Sequence, residues 1–496
     1  MPALKSRVIL SAAAIIAFLI FGSLIFSRHS QLASQTTPAV PAAQAAAAQV
    51  AAPVRVLPPG TISHTQKTPT TALVVARHFI DQSSYMTVAE FEKAVREANA
   101  GASSFKKNQE ILVPGIEPQP IVEKMRPFPK DSEVRAVYLT GTMAGSWRGI
   151  ELIRRWKAAG GNAVVFDIKD SDGTINVPFE SPLAPQRKYH AISNLPKFIR
   201  FLHSLDMHSI ARVALFRDDN IAKHHSTLAV QSRSTHSAWT ENGKLVWADP
   251  SRAEVQNYNL ALAKYVAGSG ADEIQFDYVR FPAEGNQKDA QFAFEADPKL
   301  HRDDVIANFL KKAYGELHPT GVLVSLDVFG VMAWQRQVDM NHTGQDIVKM
   351  AKYCDVLSPM IYPSHFFGMD DYAHPGDAPE HFISISMDRF QKVTAGSGVV
   401  LRPWLQAFHW RTTIYSPEYI LTQVSASKHH GGDGFLFWNA ASDYSKPLAA
   451  MPVMMGKPDV YLWTAAPVAS LQSAAATQSG TAAPAKGAGV SANFHQ

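Results

Sequence analysis

The sequence predicts an α/β protein whose main body is a (β/α)8 TIM barrel, and three observations carry that prediction. Eight short apolar runs recur between residues 136 and 438, and stretches with helical periodicity lie between them. Several of the runs end in a charged residue, which is where a parallel barrel strand reaches the mouth at its C-terminal end. The composition, 46% hydrophobic and 18% charged in 496 residues, allows a large core and more than one module. The expected order is a cytoplasmic stub and signal anchor (1–28), a disordered linker (29–70), a small α+β module (71–116), a second linker (117–132), the barrel (133–450) and a disordered tail (465–496).

The N-terminal segment is apolar from Val8 to Phe26, with Lys5 and Arg7 before it and Arg28 after it. That run approaches the ~20 residues needed to cross a bilayer and exceeds the roughly 7–15 of a signal-peptide core. The expectation is one transmembrane helix with the N-terminus in the cytoplasm and the bulk of the chain periplasmic or extracellular. A cleaved signal, giving a secreted protein, is the second reading. The linker and the tail are rich in Ala, Gln, Pro, Ser and Thr and lack large side chains, so both are expected to be flexible. A net charge of +4, from 47 basic and 43 acidic residues without a basic stripe, excludes nucleic acid as a partner. The single cysteine, Cys354, has no disulfide partner in the chain and reads as a packed thiol.

The small module is expected to run strand (Leu73 to Val75), helix, helix (Val88 to Ala98), strand (Glu110 to Pro114). Thr87 with Glu90 three residues on fits a capping box at the second helix. Ala98-Asn-Ala-Gly101 and Asn108-Gln-Glu-Ile-Leu-Val-Pro-Gly115 resemble a LysM module, and the resemblance implies binding to N-acetylglucosamine-containing glycan. The Gly-Asp-Thr-Leu opening of that family is absent.

The barrel strands are expected at 136–140, 163–168, 210–216, 273–281, 322–329, 356–362, 399–408 and 434–438, with helices near 149–159, 195–205, 251–268, 301–316, 343–353, 379–395 and 417–430. A doubly wound open sheet is the runner-up, but Gly141-Thr-Met-Ala-Gly145 lacks the spacing of a phosphate-binding turn. In the fourth strand, alternation puts Ile274, Phe276 and Tyr278 on one face, and Gln275 and Asp277 on the face toward the barrel axis. The mouth then collects Asp167, Lys169 and Asp170 from strand two, Asp277 from strand four, Asp327 from strand five, Tyr362 and His365 from strand six, Trp404 and Gln406 from strand seven, and Trp438 and Asn439 from strand eight. Ionised carboxylates at several strand ends are costly unless paired or used. Two carboxylates flanked by aromatic rings are what glycosidic bond cleavage requires: one to protonate the leaving oxygen, one to act from the other side of the sugar. Asp277 and Asp327 are the candidate catalytic pair, and the others, with Tyr278 and Arg280, are candidates for substrate binding. The structural alternatives are an Asp277–Arg280 salt bridge locking the strand end, Asp327 capping its turn, and an ion network of Asp167, Lys169 and Asp170.

Asn162-Ala-Val-Val-Phe-Asp-Ile-Lys-Asp170, Glu273-Ile-Gln-Phe-Asp-Tyr-Val-Arg-Phe-Pro282, Asp327-Val-Phe-Gly330, Ser358-Pro-Met-Ile-Tyr-Pro-Ser-His365 and Leu401-Arg-Pro-Trp-Leu-Gln406 resemble, in this order, the bacterial "putative glycosyl hydrolase domain" family. The resemblance covers Val134 to Tyr444 and implies a glycosidase-like barrel. Retaining glycosidases with an acid on strand four and a nucleophile on strand seven do not match, because strand seven ends in Gln406. Chitinase-like barrels share Met360-Ile-Tyr362 but need a Glu after Asp277. Amylase-like barrels fit the placement of Asp277 and Asp327 best, with Asp on strand five where they carry Glu.

The leading expectation is a glycoside hydrolase acting on a bacterial cell-wall or extracellular polysaccharide, peptidoglycan included. A non-catalytic carbohydrate-binding barrel is the alternative. A metal-dependent deacetylase is disfavoured, because the strand ends do not assemble an Asp/His triad; no metal and no cofactor is expected.

Overall fold

The computed structural model describes residues 56–463. The expected membrane segment, most of the first linker and the tail lie outside the described residues. Among the described residues no helix is long and apolar enough to cross a membrane.

The first element is a strand, Ile62–Thr65, which pairs antiparallel with Glu110–Val113. The expected strand at Leu73 to Val75 is instead inside a helix, Ala72–Phe79, opened by Thr71, whose side chain accepts from the Val74 amide. Its apolar residues fall at helical spacing: Ala72, Val75, Ala76 and Phe79 are buried against Phe91 and Val95 of the second helix, Val88–Ala98. The Thr87–Glu90 capping box forms as expected.

Residues 117–132, the expected second linker, are held along the N-terminal end of the barrel. Arg200 binds Glu117 and Glu123, the Arg126 amide donates to Asp272, and Phe128 stacks on His208 at 4.0 Å.

Eight parallel strands then close into a ring. They are Arg135–Leu139, Ala163–Lys169, His208–Ala214, Glu273–Asp277, Leu323–Phe329, Val356–Ile361, a seventh broken into Val400–Leu401 and Trp404–Gln406, and Phe435–Trp438. The eighth pairs with the first and the fifth with the sixth, so no edge is left open. Pro403, which has no amide proton to give a neighbour, stands at the break in strand seven. The helices that follow strands, among them Trp147–Ala158, Leu195–Ser204, Ala253–Gly268 and Arg302–Leu317, cover the outside. The expected helix at 343–353 shrinks to Ile347–Met350 and a 3-10 turn at Ala351–Tyr353.

Side-chain alternation divides the interior from the outer layer. Val137, Val164, Phe166, Ile274, Phe276 and Leu326 pack toward the helices, while Ala136, Tyr138, Ala163, Val165, Ile210, Trp404 and Leu436 form a separate inner cluster. With Tyr362 and Met360, that inner cluster draws on strands one to three and six to eight. The rest of the interior is polar. At the bottom, Glu273 accepts from Arg402 at 2.8 Å and contacts His208 at 2.9 Å.

Candidate active site

Strand register builds the site. Asp167 lies opposite Arg212 on strand three, and Ala214 lies opposite Asp277. Leu326 pairs with Phe276, so the next residues, Asp327 and Asp277, are level on adjacent strands and share the inward face. Arg212 sits among these carboxylates. It donates from Nε and Nη2 to Asp277 Oδ2 at 3.1 and 2.6 Å, and from Nη1 to Asp167 Oδ1 at 2.5 Å. Its Nε is also 3.9 Å from Asp327 Oδ2.

Strand four stops at Asp277 and does not run on to Phe281 as expected. Tyr278 takes a left-handed backbone (φ 49°), and its amide donates to Asp277 Oδ1 at 2.5 Å. A bulky residue in that conformation is strained and persists only where the surroundings enforce it. Here it turns the chain and aims the carboxylate. Asp327 is 1% exposed. Its Oδ1 accepts from Trp404 Nε1 at 2.6 Å, and its Oδ2 has no hydrogen-bond partner. Tyr138 donates its hydroxyl to Asp167 Oδ2.

One guanidinium thus serves three buried carboxylates, and they cannot all be ionised. Burial, helped by the charge of Asp277, pushes Asp327 well above the usual carboxylate range. Burial does the same to Asp167, against the pull of Arg212. Asp277 keeps the strongest hold on the cation. The arrangement offers a carboxylic acid beside an ion-paired carboxylate, which is the chemistry of proton donation coupled to nucleophilic or basic assistance.

Above this group the aromatic residues cluster. Trp438 lies 6.3 Å from Tyr138 in a stacked pair and 5.9 Å from Tyr362, with Phe408 edge-on at 5.3 Å. Trp438 and Phe408 are half-buried, Tyr362 and Trp404 buried. His365 is half-buried and packs between Tyr362, Phe408 and Trp410. Burial, with Arg411 nearby, pushes its imidazole down to about 4, so it is neutral at pH 7.

The structure separates several other candidates from this group. Lys169 was expected at the mouth, but a register shift between Asp167 and Lys169 turns it outward. There it pairs with Asp218 at 2.7 Å and donates to Asn259, fully buried. Arg280 does not hold Asp277. It lies over the rings of Phe329 and Trp247 at 4.4 and 4.8 Å and donates to the Phe281 carbonyl. Tyr278 therefore faces Arg280 and Trp247 and does not continue the Ile274–Phe276 face. Gln406 spends both ends of its amide on the mouth loops, donating to the Phe408 and Trp410 carbonyls and accepting from the Ser364 amide. Asn439 likewise donates to Ala407 and Asp443 and accepts from Ala441. Asp170 is held by Asn176 at 3.1 Å and adds to the upward push on Asp167.

Sequence reasoning missed Arg212 and Tyr138, because only strand ends were considered. A charge inside the apolar run Ile210-Ala-Arg-Val-Ala214 is the same anomaly that singles out Asp277. Among the described residues no group of His, Cys, Asp and Glu could hold a metal ion.

No curated protein matches the chain. A hypothetical protein from Ruminiclostridium thermocellum is 32% identical over 39% of this chain and 97% of its own, with a TM-score of 0.33. The spore cortex-lytic enzyme SleL of Bacillus megaterium is 13% identical over 79% and 85% of the two chains, TM-score 0.40. Alpha-L-fucosidase isoenzyme 2 of Paenibacillus thiaminolyticus is 13% identical over 66% and 50%, TM-score 0.47. The sequence profile of one family matches residues 136–444, the whole ring of strands and its mouth loops, and on that match the chain belongs to the "putative glycosyl hydrolase domain" family.

Proposed function

We propose that this chain is a glycoside hydrolase acting on a bacterial cell-wall or extracellular polysaccharide, with Asp327 as the proton donor and Asp277 as the nucleophile or base. The observation that carries the reading is the pairing of two level carboxylates on adjacent strands, one ion-paired to Arg212 and the other buried without a cation of its own, which raises its carboxyl well above the usual range. Asp327 gives its proton to the glycosidic oxygen as the bond to the anomeric carbon breaks. Asp277 meets the positive charge that develops on the sugar, either by bonding to that carbon or by taking a proton from the attacking water. Arg212 and the Tyr278 amide position Asp277, and the Trp404 indole positions Asp327. Trp438 and Phe408, half-buried at the rim, offer ring faces to sugar.

The test is release of reducing ends from a panel of bacterial glycans by the full chain, with Asp277→Asn and Asp327→Asn in parallel. Turnover that survives both substitutions removes the assignment. A non-catalytic carbohydrate-binding barrel is the second reading, favoured by the near-complete burial of Asp327. It predicts glycan binding with no turnover by the unmodified chain.

The small module is proposed to hold cell-wall glycan, supported by its strand–helix–helix–strand order and the antiparallel pairing of its outer strands. The N-terminal apolar run is proposed to anchor the barrel outside the cytoplasmic membrane. Protease accessibility in intact and lysed cells tests that placement.

A further inference from the structure

A cleft of about 690 Å³ lies between the small module and the barrel, away from the carboxylates. One wall is the start of the helix Val88–Ala98; the other is formed by Gly145, Trp147 and Glu151 and by the segment 191–194. Trp147 is 64% exposed, the largest exposed aromatic surface among the described tryptophans, and Arg148 lies 5.6 Å from its ring centroid. A tryptophan left this open at the first turn of a barrel helix contributes little to the core.

The walls are tied together. Glu90 on the module forms an ion pair with Arg154 on the barrel, Ser193 donates to Asp81 at 2.7 Å, and Lys197 reaches the Ile80 carbonyl. The cleft is therefore preformed, which lowers the ordering cost of binding in it. Its place in the barrel is informative too. Gly145 and Trp147 follow the C-terminal end of strand one, and residues 191–194 lie between the C-terminal end of strand two and its helix. The cleft thus opens on the same face of the barrel as the mouth.

We infer that this cleft is a second glycan subsite, which takes an uncharged stretch of polysaccharide across Trp147 while the same polymer reaches the mouth. A sugar ring has an apolar C–H face that fits an open indole, and its hydroxyls fit the carboxylates and guanidinium around it. Charge sets the class. Asp81, Glu90, Glu92 and Glu151 outnumber Arg154 and Lys197 along the walls, even with Arg148 beside Trp147 counted, so a polyanion is disfavoured. The inference rests on the hydrolase reading for its link to the mouth, but its test does not depend on turnover.

The full-length chain carrying Asp277→Asn is sedimented with chitin, cellulose and insoluble starch, and with calcium alginate beads as the polyanion. Retention is expected on at least one of the three uncharged polymers and not on alginate. Adding Trp147→Ala is expected to weaken that retention about tenfold, the loss typical of truncating an aromatic anchor. Trp147→Phe is expected to restore most of it, and melting temperatures are expected to be unchanged because the side chain is exposed. Retention on none of the uncharged polymers, preference for alginate, or undiminished retention of the Trp147→Ala chain would each overturn the assignment. Turnover assayed separately in chains that differ only at Asp277 tests the hydrolase reading. If turnover survives Asp277→Asn, that reading fails while the retention result is unaffected.

Discussion

Replacing Arg212 with methionine removes the cation that the site carboxylates share and keeps most of its volume. In the native protein its guanidinium makes two hydrogen bonds to Asp277 and one to Asp167. Burial already lifts Asp167 and Asp327 well above the carboxylate range, so the change falls mainly on Asp277, the carboxyl left without its cation inside the barrel. Holding a proton on a carboxyl with an unfolded pKa near 3.9 costs about 1.36 kcal/mol for each pH unit above that value, hence about 4 kcal/mol at pH 7 and about 1.5 at pH 5. The first figure agrees with the roughly 3–5 kcal/mol lost when one partner of a buried pair is removed. The sign is that of a raised carboxylate: the cost is absent below the unfolded pKa and grows as pH rises. Urea unfolding of Arg212→Met and the unmodified chain at pH 5 and pH 7 measures both numbers. A loss below about 1 kcal/mol at pH 7, or one that does not shrink at pH 5, would refute the shared-cation account of the site.

Three further outcomes are expected. Asp327→Asn abolishes turnover yet melts at the same or a higher temperature at pH 8, because a carboxyl raised by burial and Asp277 subtracts stability above its unfolded pKa; the difference vanishes toward pH 4. Trp404→Phe removes the 2.6 Å hydrogen bond that favours ionised Asp327, so the alkaline limb of kcat/KM moves to higher pH; an unmoved limb argues against Asp327 as the acid. Glu273→Gln acts at the other end of the barrel. Burial would raise Glu273, but Arg402 and His208 outweigh it and bring the carboxyl down to about 2. Its contribution is present above its unfolded pKa and lost as pH falls toward 2, so the variant is less stable by about 3 kcal/mol at pH 7 and the gap closes in acid. Equal deficits at pH 7 and pH 3 would contradict the ion-pair account.

Local periodicity and composition determined the alternation of eight strands with helices, since a buried parallel strand must be a short apolar run whatever surrounds it. The same logic placed Asp277 and Asp327 on inward positions of adjacent strands, because side-chain direction follows from counting residues. Local chemistry also foretold the Thr87–Glu90 cap, which needs only four consecutive residues.

What counting could not reach were the contacts between residues far apart in the chain. Arg280 is three residues from Asp277 and looked like its partner, yet the left-handed turn at Tyr278 sends it to Phe329 and Trp247, and Arg212 takes its place from strand three. Lys169 shared the inward parity of Asp167 until a one-residue slip reversed its face. The sequence by itself determined which elements form and which side of a strand each residue occupies. Only the tertiary structure decided which charges meet, because ion pairing depends on strand register and turn geometry, and both are set by packing across the closed ring.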